Sequence, residues 1–396
     1  MSVINFVIPP TSKTLFSGGT LCLLEYAKGL RARNHQVNLI PFMPCDPPLW
    51  FTGDFGWFPG EQLMKKIALR MFALKNEVAA DTAGNGSNNS SEAHVNPKLL
   101  SLELQLAFGT IYAREILKEL PVADATVASF FSTARPVQLY GTGKKFYFAQ
   151  HFEPYFANDM PDPILAEHEA MMSYRMGLQI VANSTWLRQK LKRELGMEVM
   201  FCPNAIDHSI FHGLPKSGQL GDEIRVISYG GRGASWKGFK DMAAGMRIAR
   251  ERLSRVKLRW QVYGSCVLEP SNPIADYEPL GFLQPSALAN AYRSADILLS
   301  ASWYESFPLF PLEAMACGLP VITTQHGTEE FAIHEQTAEV VKPQDPECIA
   351  DSLVRLVTQN NYRATIAARG NIVSKEFNWR NSVDRMENIL LGSADP

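Results

Sequence analysis

Apolar residues along the chain follow two spacings in turn. Val3–Ile8 is a nearly unbroken apolar run and reads as a buried strand. A loop rich in Pro, Ser and Gly follows, "PPTSKTLFSGG". Thr20–Arg33 then sets Leu23, Leu24, Ala27 and Leu30 at helical spacing, and "HQVNLIPF" reads as the next strand. Strand, glycine loop, helix, strand is the opening of a doubly wound sheet. The rhythm breaks between Cys45 and Asn96, where Pro, Trp and Phe give way to "GNGSNNSS", expected to be a mobile surface loop. It resumes with a helix near Leu99–Glu119, strands at Ala125–Ser129 and Lys145–Ala149, a helix over Pro163–Met176 and a strand at Leu178–Ala182. "STWLRQKLKREL" starts on a Ser/Thr cap and predicts another helix.

"FCPNAIDHSIF" and "GLPKSGQLGDE" are dense in turn formers and mark a junction. The rhythm restarts beyond it. Strand Arg225–Tyr229 leads through "GGRGASWKG" to a helix at Phe239–Leu253. Strand Leu258–Tyr263, helix Ser286–Ser294, strands Ile297–Ser300 and Val321–Thr323, and a helix at Pro346–Thr358 follow. The tail sets Trp379, Val383, Met386 and Leu390 on one face of a closing helix. The expectation is an α/β protein of two Rossmann-like domains facing a cleft: 1–205 with an insertion at about 45–96, and 222–375. A tail at 376–396 is expected to cross back to the first domain.

Length and composition agree with that division. The 396 residues exceed one compact core and suit two domains. The chain is 46% hydrophobic and 20% charged, with net charge −2, which gives no reason to expect a nucleic-acid partner. Six scattered cysteines without a CxxC pair fit reduced thiols in a cytosol better than disulfides or a zinc site. The apolar start "MSVINFVIPP" is too short for a signal peptide, and no run of about eighteen apolar residues predicts a membrane span. A cytoplasmic protein is expected, at most in peripheral contact with the inner face of a membrane. The N-x-[ST] triplets at Asn85, Asn88, Asn89 and Asn183 are then chance matches.

The most informative stretch is "WYESFPLFPLEAMACGLPVI", Trp303–Ile322. Two carboxylates, Glu305 and Glu313, stand with seven residues between them in an apolar run, and carboxylates are costly to bury unpaired. Glu305 falls just past the end of a strand. Pro311 suits the first turn of a short helix stopped by Gly318 and Pro320, which places Glu313 in that turn. A capping box would need Ser or Thr where Phe310 stands. A structural ion pair is the other plain reading. The functional one is recognition of hydroxyls, since ionised carboxylates only accept hydrogen bonds and sugars offer many donors. A helix start between the two would attract phosphate, so sugar plus phosphate suggests a sugar nucleotide. In "GGRGASWKG", Gly230, Gly231 and Gly233 permit close backbone approach, Arg232 can fork onto a phosphate, and Lys237 adds a point charge. No DxD, HExxH or Cys/His cluster offers a metal, so Arg232, Lys237 and helix dipoles are expected to stabilise a departing diphosphate without one.

"GGRGASWKG", "YESFPLFPLEAMACGLPVI", "CPNAID" and "SGGTLCLLEYAKGLRARNHQV" together resemble glycosyltransferase family 4, the retaining GT-B enzymes with a Glu-x7-Glu signature. The resemblance covers nearly the whole chain apart from about 45–96. It implies that Glu313 binds nucleotide ribose hydroxyls and Glu305 faces the donor sugar. Arg232 and Lys237, with Gly231 beside them, hold the diphosphate. Gly18 and Gly19 close over phosphate or acceptor, and Gly281–Phe282 meets the base. His151 stands where the family often has a histidine near the donor sugar, with a cleft-lining or core histidine as the plainer reading. "FAQHFEPYF" resembles a branch containing rhamnosyltransferases of bacterial surface glycans, where an acidic residue can follow the Gln; Glu153 is therefore a candidate beside His151. Pro308 departs from a common glycine and has no N–H to give, which leaves the amides of Ser306, Phe307 and Leu309 for the donor. The implied activity is transfer of a sugar from a UDP-, GDP- or dTDP-sugar, dTDP-rhamnose among them, to a glycan or lipid-linked glycan hydroxyl. A non-catalytic nucleotide-sugar scaffold and a GT-B epimerase or phosphorylase are the alternatives. No cofactor is expected beyond the donor substrate.

Overall fold

The computed structural model describes residues 1–14, 16–58, 101–216, 218–230, 234–264 and 276–392. The "GNGSNNSS" stretch, the triplets at Asn85, Asn88 and Asn89, and Gly231, Arg232 and Gly233 lie outside the described residues. The chain forms two compact units. Unit 1 holds 1–182, 191–200 and 383–396; unit 2 holds 183–190 and 201–382.

Unit 1 is built on a six-stranded sheet in the order β2-β1-β3-β4-β5-β6, with β1 Val3–Ile8, β2 Gln36–Pro41, β3 Ala125–Ala128, β4 Lys144–Ala149, β5 Gln179–Ala182 and β6 Met200–Phe201. The β1–β2, β1–β3, β3–β4 and β4–β5 pairs are parallel. The near-continuous apolar runs follow from this, because a parallel sheet is covered on both faces. Helices α1 Gly18–Arg31, α2 Leu102–Glu119, α3 Phe131–Tyr140 and α4 Pro163–Ser173 supply most of the cover. α3 is absent from the apolar pattern, since Pro136 in its middle removes a helical hydrogen bond. Its start is secured instead: Thr133 Oγ1 accepts the Phe130 N–H at 3.1 Å, and Glu153 Oε2 accepts the Phe131 N–H at 2.6 Å.

Unit 2 carries six strands in the order β12-β11-β10-β7-β8-β9, all parallel: β7 Glu223–Tyr229, β8 Lys257–Tyr263, β9 Glu278–Gly281, β10 Ile297–Leu299, β11 Val321–Thr324 and β12 Glu339–Val341. Counted within the unit this is 3-2-1-4-5-6, the dinucleotide-fold order, whose direction reverses between β7 and β10. Successive residues of β7 feed opposite faces. Val226 joins Trp260, Met246 and Leu353 in one core layer, and Ile227 joins Leu298, Leu312 and Met315 in the other. The helices after α4 are α5 Thr185–Leu195, α6 Phe239–Arg252, α7 Pro285–Ser294, α8 Leu309–Ala316, α9 Pro346–Thr358, α10 Asn360–Ser374 and α11 Trp379–Leu391. α10 escapes an apolar-pattern reading because its buried stripe is small or polar: Arg363, Ala367, Gly370, Asn371 and Ser374 accompany Ile366. α11 begins in unit 2 and continues in unit 1, where Val383, Met386 and Leu390 are buried. A Cβ on Gly29 of α1 would lie 2.5 Å from Val383 Cγ2, so glycine is what lets these two helices meet.

Candidate active site

In open α/β sheets ligands bind beyond the carboxyl ends of the strands where the order reverses. In unit 2 that point is filled by the loops after β7 and β10, and they are latched together. Trp236 and Lys237 lie in a short 3-10 turn, Ser235–Lys237, that runs into Gly238. Gly238 has φ +69°, and a Cβ there would come within 1.9 Å of Ala301 O, so only glycine allows the β10 loop this close. The Trp303 N–H donates to Trp236 O at 2.8 Å, the Trp236 and Tyr304 rings stack at 5.2 Å, and Trp303 Nε1–H donates to Asp241 at 2.6 Å.

Lys237 and Glu305 meet in this latch. Lys237 Nζ lies 2.6 Å from Glu305 Oε1 and 4.1 Å from the Trp236 ring centre, so the ammonium is held by a carboxylate and an aromatic face. The side chains are only 17% and 11% exposed, which sets this pair apart from the weak ion pairs of open surface. An ammonium carries three donors, so one Glu305 oxygen leaves capacity for a ligand anion. The ion-pair reading of Glu305 is thus present in the geometry, with a residue itself expected to bind diphosphate as its partner.

Beyond Glu305 the backbone is pinned from two sides. Gly327, at φ +79°, abuts the carbonyls of Glu305 and Ser306, which a Cβ would approach to 2.4 and 2.5 Å. Ser306 Oγ donates to Asn183 Oδ1 and sits 3.3 Å from Ser184 Oγ. Glu330 accepts the Thr185 N–H, fastening the start of α5 to the same region. The Ser306 hydroxyl is therefore committed within the protein. Phe307 is core: its ring packs at 5.7 Å on Phe331 and 5.8 Å on Phe377.

α8 starts at Leu309 with Pro308 as N-cap and no side-chain cap. A helix leaves its first N–H groups without helical acceptors. Pro308 and Pro311 have no N–H, so the donors offered at this start are the amides of Leu309 and Phe310. Glu313 is the fifth residue of α8, in the second turn. The expectation of a first-turn glutamate is corrected, because the helix begins two residues before Pro311. Its carboxyl is buried, with Oε2 accepting from Tyr292 OH at 3.4 Å; Tyr292 OH lies 2.6 Å from Tyr263 OH. Burial pushes the Glu313 carboxyl up to about 8, and the Tyr292 hydrogen bond offsets this only in part. Gly281 and Phe282 lie at the end of β9, the edge strand, two strands away from β7; Gly281 has φ +67° and Phe282 is exposed.

The remaining candidates belong to unit 1. Gly18 and Gly19 open α1 beyond β1, next to the order reversal between β1 and β3, and Gln150 Nε2 donates to Gly19 O at 3.1 Å. His151 follows β4 and is 8% exposed, with Nδ1 3.2 Å from Phe152 O. Glu153 is buried and committed. Besides the Phe131 amide it accepts from Tyr147 OH at 2.8 Å, and burial pushes it up to about 8 against those two hydrogen bonds. Tyr174 OH accepts the Glu153 N–H at 3.1 Å and donates to His151 O at 3.0 Å. Glu153 thus anchors the turn that carries His151. Asn183, Ser184, Gly327 and Glu330 were not singled out for the site from the sequence, because their contacts close over long sequence separations. Among the described residues no group of His, Cys, Asp or Glu could hold a metal ion, and no helix is long and apolar enough to cross a membrane.

Residues 224–359 match the family model described as "Glycosyl transferases group 1". Over 288 residues the chain is 26% identical to the O-antigen biosynthesis protein RfbC of Myxococcus xanthus, an alignment covering 70% of this chain and 21% of that protein. Among solved structures, sucrose-phosphate synthase of Thermosynechococcus elongatus superposes with a TM-score of 0.72 at 16% identity, over 98% of each chain. HepE of Anabaena in complex with UDP-glucose gives 0.62 at 15% identity, over 98% of this chain and 99% of that one. The two-unit α/β architecture is the GT-B fold of these proteins.

Proposed function

We propose that the protein is a metal-independent, retaining glycosyltransferase of the family 4 type, and that unit 2 binds its nucleotide-sugar donor at the β7–β10 reversal. The Lys237–Glu305 pair beside the uncapped start of α8 carries this reading. It joins a cation and two amide donors, which suit a diphosphate, to a carboxylate that suits sugar hydroxyls. Glu313 takes the ribose hydroxyls, and Arg232 joins Lys237 on the diphosphate. The match of 224–359, the part of the chain holding these residues, and the UDP-glucose bound by HepE support the assignment. As the bond from the anomeric carbon to the diphosphate breaks, the growing negative charge falls on Lys237, Arg232 and the α8 amides. The anomeric carbon bonds the acceptor hydroxyl oxygen, and that hydroxyl's proton passes to the departing phosphate oxygen. His151 approaches the donor sugar, with Glu153 holding its turn.

The acceptor we infer is a glycan or lipid-linked glycan of a bacterial surface polysaccharide, met in the cytoplasm at the inner face of a membrane. The similarity to RfbC, an O-antigen biosynthesis protein, supports this choice. UDP-, GDP- and dTDP-sugars all fit the proposed contacts, dTDP-rhamnose included. A thermal-shift screen of these donors identifies the true one as the largest rise in midpoint. Product analysis with EDTA present should then yield a glycoside of unchanged anomeric configuration. An inverted product, a free epimer formed without acceptor, or strict need for a divalent ion would overturn the assignment.

A further inference from the structure

Unit 2 holds a cavity of about 150 Å³ that the site above does not use. It lies at the other end of the sheet, where β10 and β11 begin. Its walls are Gly213, Leu214, Lys216 and Leu220 of the linker, the end of α7, the turn after α8 and one face of α10. The space is about tenfold what a single water needs.

Lys216, Arg293 and Arg363 line it, against one carboxylate, Asp296. Asp296 is fully engaged: Oδ1 lies 2.9 Å from Lys216 Nζ, and Oδ2 accepts the Arg225 N–H at 2.9 Å. The two guanidiniums have only neutral oxygen acceptors. Arg363, 3% exposed, donates to Leu356 O at 2.9 Å, Asn360 Oδ1 at 2.8 Å and Gly218 O at 2.7 Å. Arg293 donates to His212 O at 3.0 Å and Asn290 Oδ1 at 2.6 Å. Among the described residues neither has a carboxylate in salt-bridge reach. Neutral acceptors satisfy N–H groups but leave the charge uncompensated, and a buried charge is costly unless paired. Burial shifts the Arg363 guanidinium below its usual value, with Asp296 opposing, and pushes the Cys317 thiol on the cavity wall up to about 11. Cys317 is therefore a neutral thiol at pH 7 and supplies no counter-charge. Each guanidinium has five donors, more than its neutral acceptors use.

We propose that this cavity is an oxyanion site that takes a phosphate-class anion between Arg293 and Arg363. The site is separate from the donor site and does not depend on the transferase assignment. The test is thermal unfolding in sodium phosphate against sodium chloride of matched ionic strength, on the wild type, Lys237→Ala, Arg293→Gln and Ala367→Glu. Lys237→Ala weakens phosphate binding at the donor site. Ala367→Glu places an internal carboxylate four residues after Arg363 on α10, filling the cavity with its own counter-ion. The midpoint should rise by about 2–4 °C in phosphate for the wild type and for Lys237→Ala. It should not rise for whichever of Arg293→Gln and Ala367→Glu folds. No rise in Lys237→Ala, or a rise retained in either cavity variant that folds, would overturn the proposal.

Discussion

Glu313 and Glu305 are both nearly buried, yet the chain treats them differently. Glu305 has a lysine at 2.6 Å, whereas Glu313 has a tyrosine hydroxyl at 3.4 Å and is pushed up to about 8. An unfolded glutamate titrates near 4.5, so the Glu313 contribution to stability is complete below that pH and is lost as pH rises through about 8. Urea unfolding at pH 5 and 8.5 should show a smaller loss for Glu313→Gln than for the wild type; an equal loss would refute the burial argument. Glu153 titrates in the same direction, so the variant's profile flattens only in part. Nucleotide binding is predicted to tighten between pH 6 and about 8 as Glu313 becomes an acceptor for hydroxyls, a trend Glu313→Gln abolishes. The two glutamates and Lys237 were legible in the sequence because their chemistry is local to short motifs. Gly327 and Asn183 were not, because what they do depends on Ser306, which only folding brings to them.

Elements follow the same division. α1, β7 and α9 were plain from apolar periodicity, and α9 spans the predicted Pro346–Thr358 without change. α10 was invisible because small and polar residues form its buried stripe, and α3 because Pro136 interrupts it. α8 was found, but its start was placed late and Glu313 with it. The loop before α8 depends on Gly327 as a separate support. Gly327→Ala puts a side chain at positive φ and a Cβ against two carbonyls, and should cost about 2–4 kcal/mol of stability. Denaturant midpoints check this, and a neutral substitution would mean the loop is not held there.

Across the whole molecule, two successive runs of alternating strands and helices announced two parallel sheets, and both sheets are present. The strand orders themselves, 2-1-3-4-5-6 and 3-2-1-4-5-6, were beyond reach of the pattern, because periodicity says which residues are buried and nothing about which strand is whose neighbour. The last helix ties distant parts of unit 1. Glu387 bonds Arg33 at 2.5 Å and His35 at 2.9 Å, and these partners hold its carboxyl below the usual range, His35 foremost. Glu387→Ala should cost about 1 kcal/mol near neutral pH, and less as acid protonates the wild-type carboxyl. Chemical unfolding at pH 7 and pH 4 measures both values, and a cost that grows in acid would contradict the pairing. The transferase account rests on a diphosphate held by Lys237 beside α8. Isothermal titration of the donor found by the screen, into wild type and Lys237→Ala, tests it most directly. Affinity should fall at least tenfold, the loss of about 1.4 kcal/mol expected for one charge-assisted contact. Equal affinity in the two proteins would contradict it.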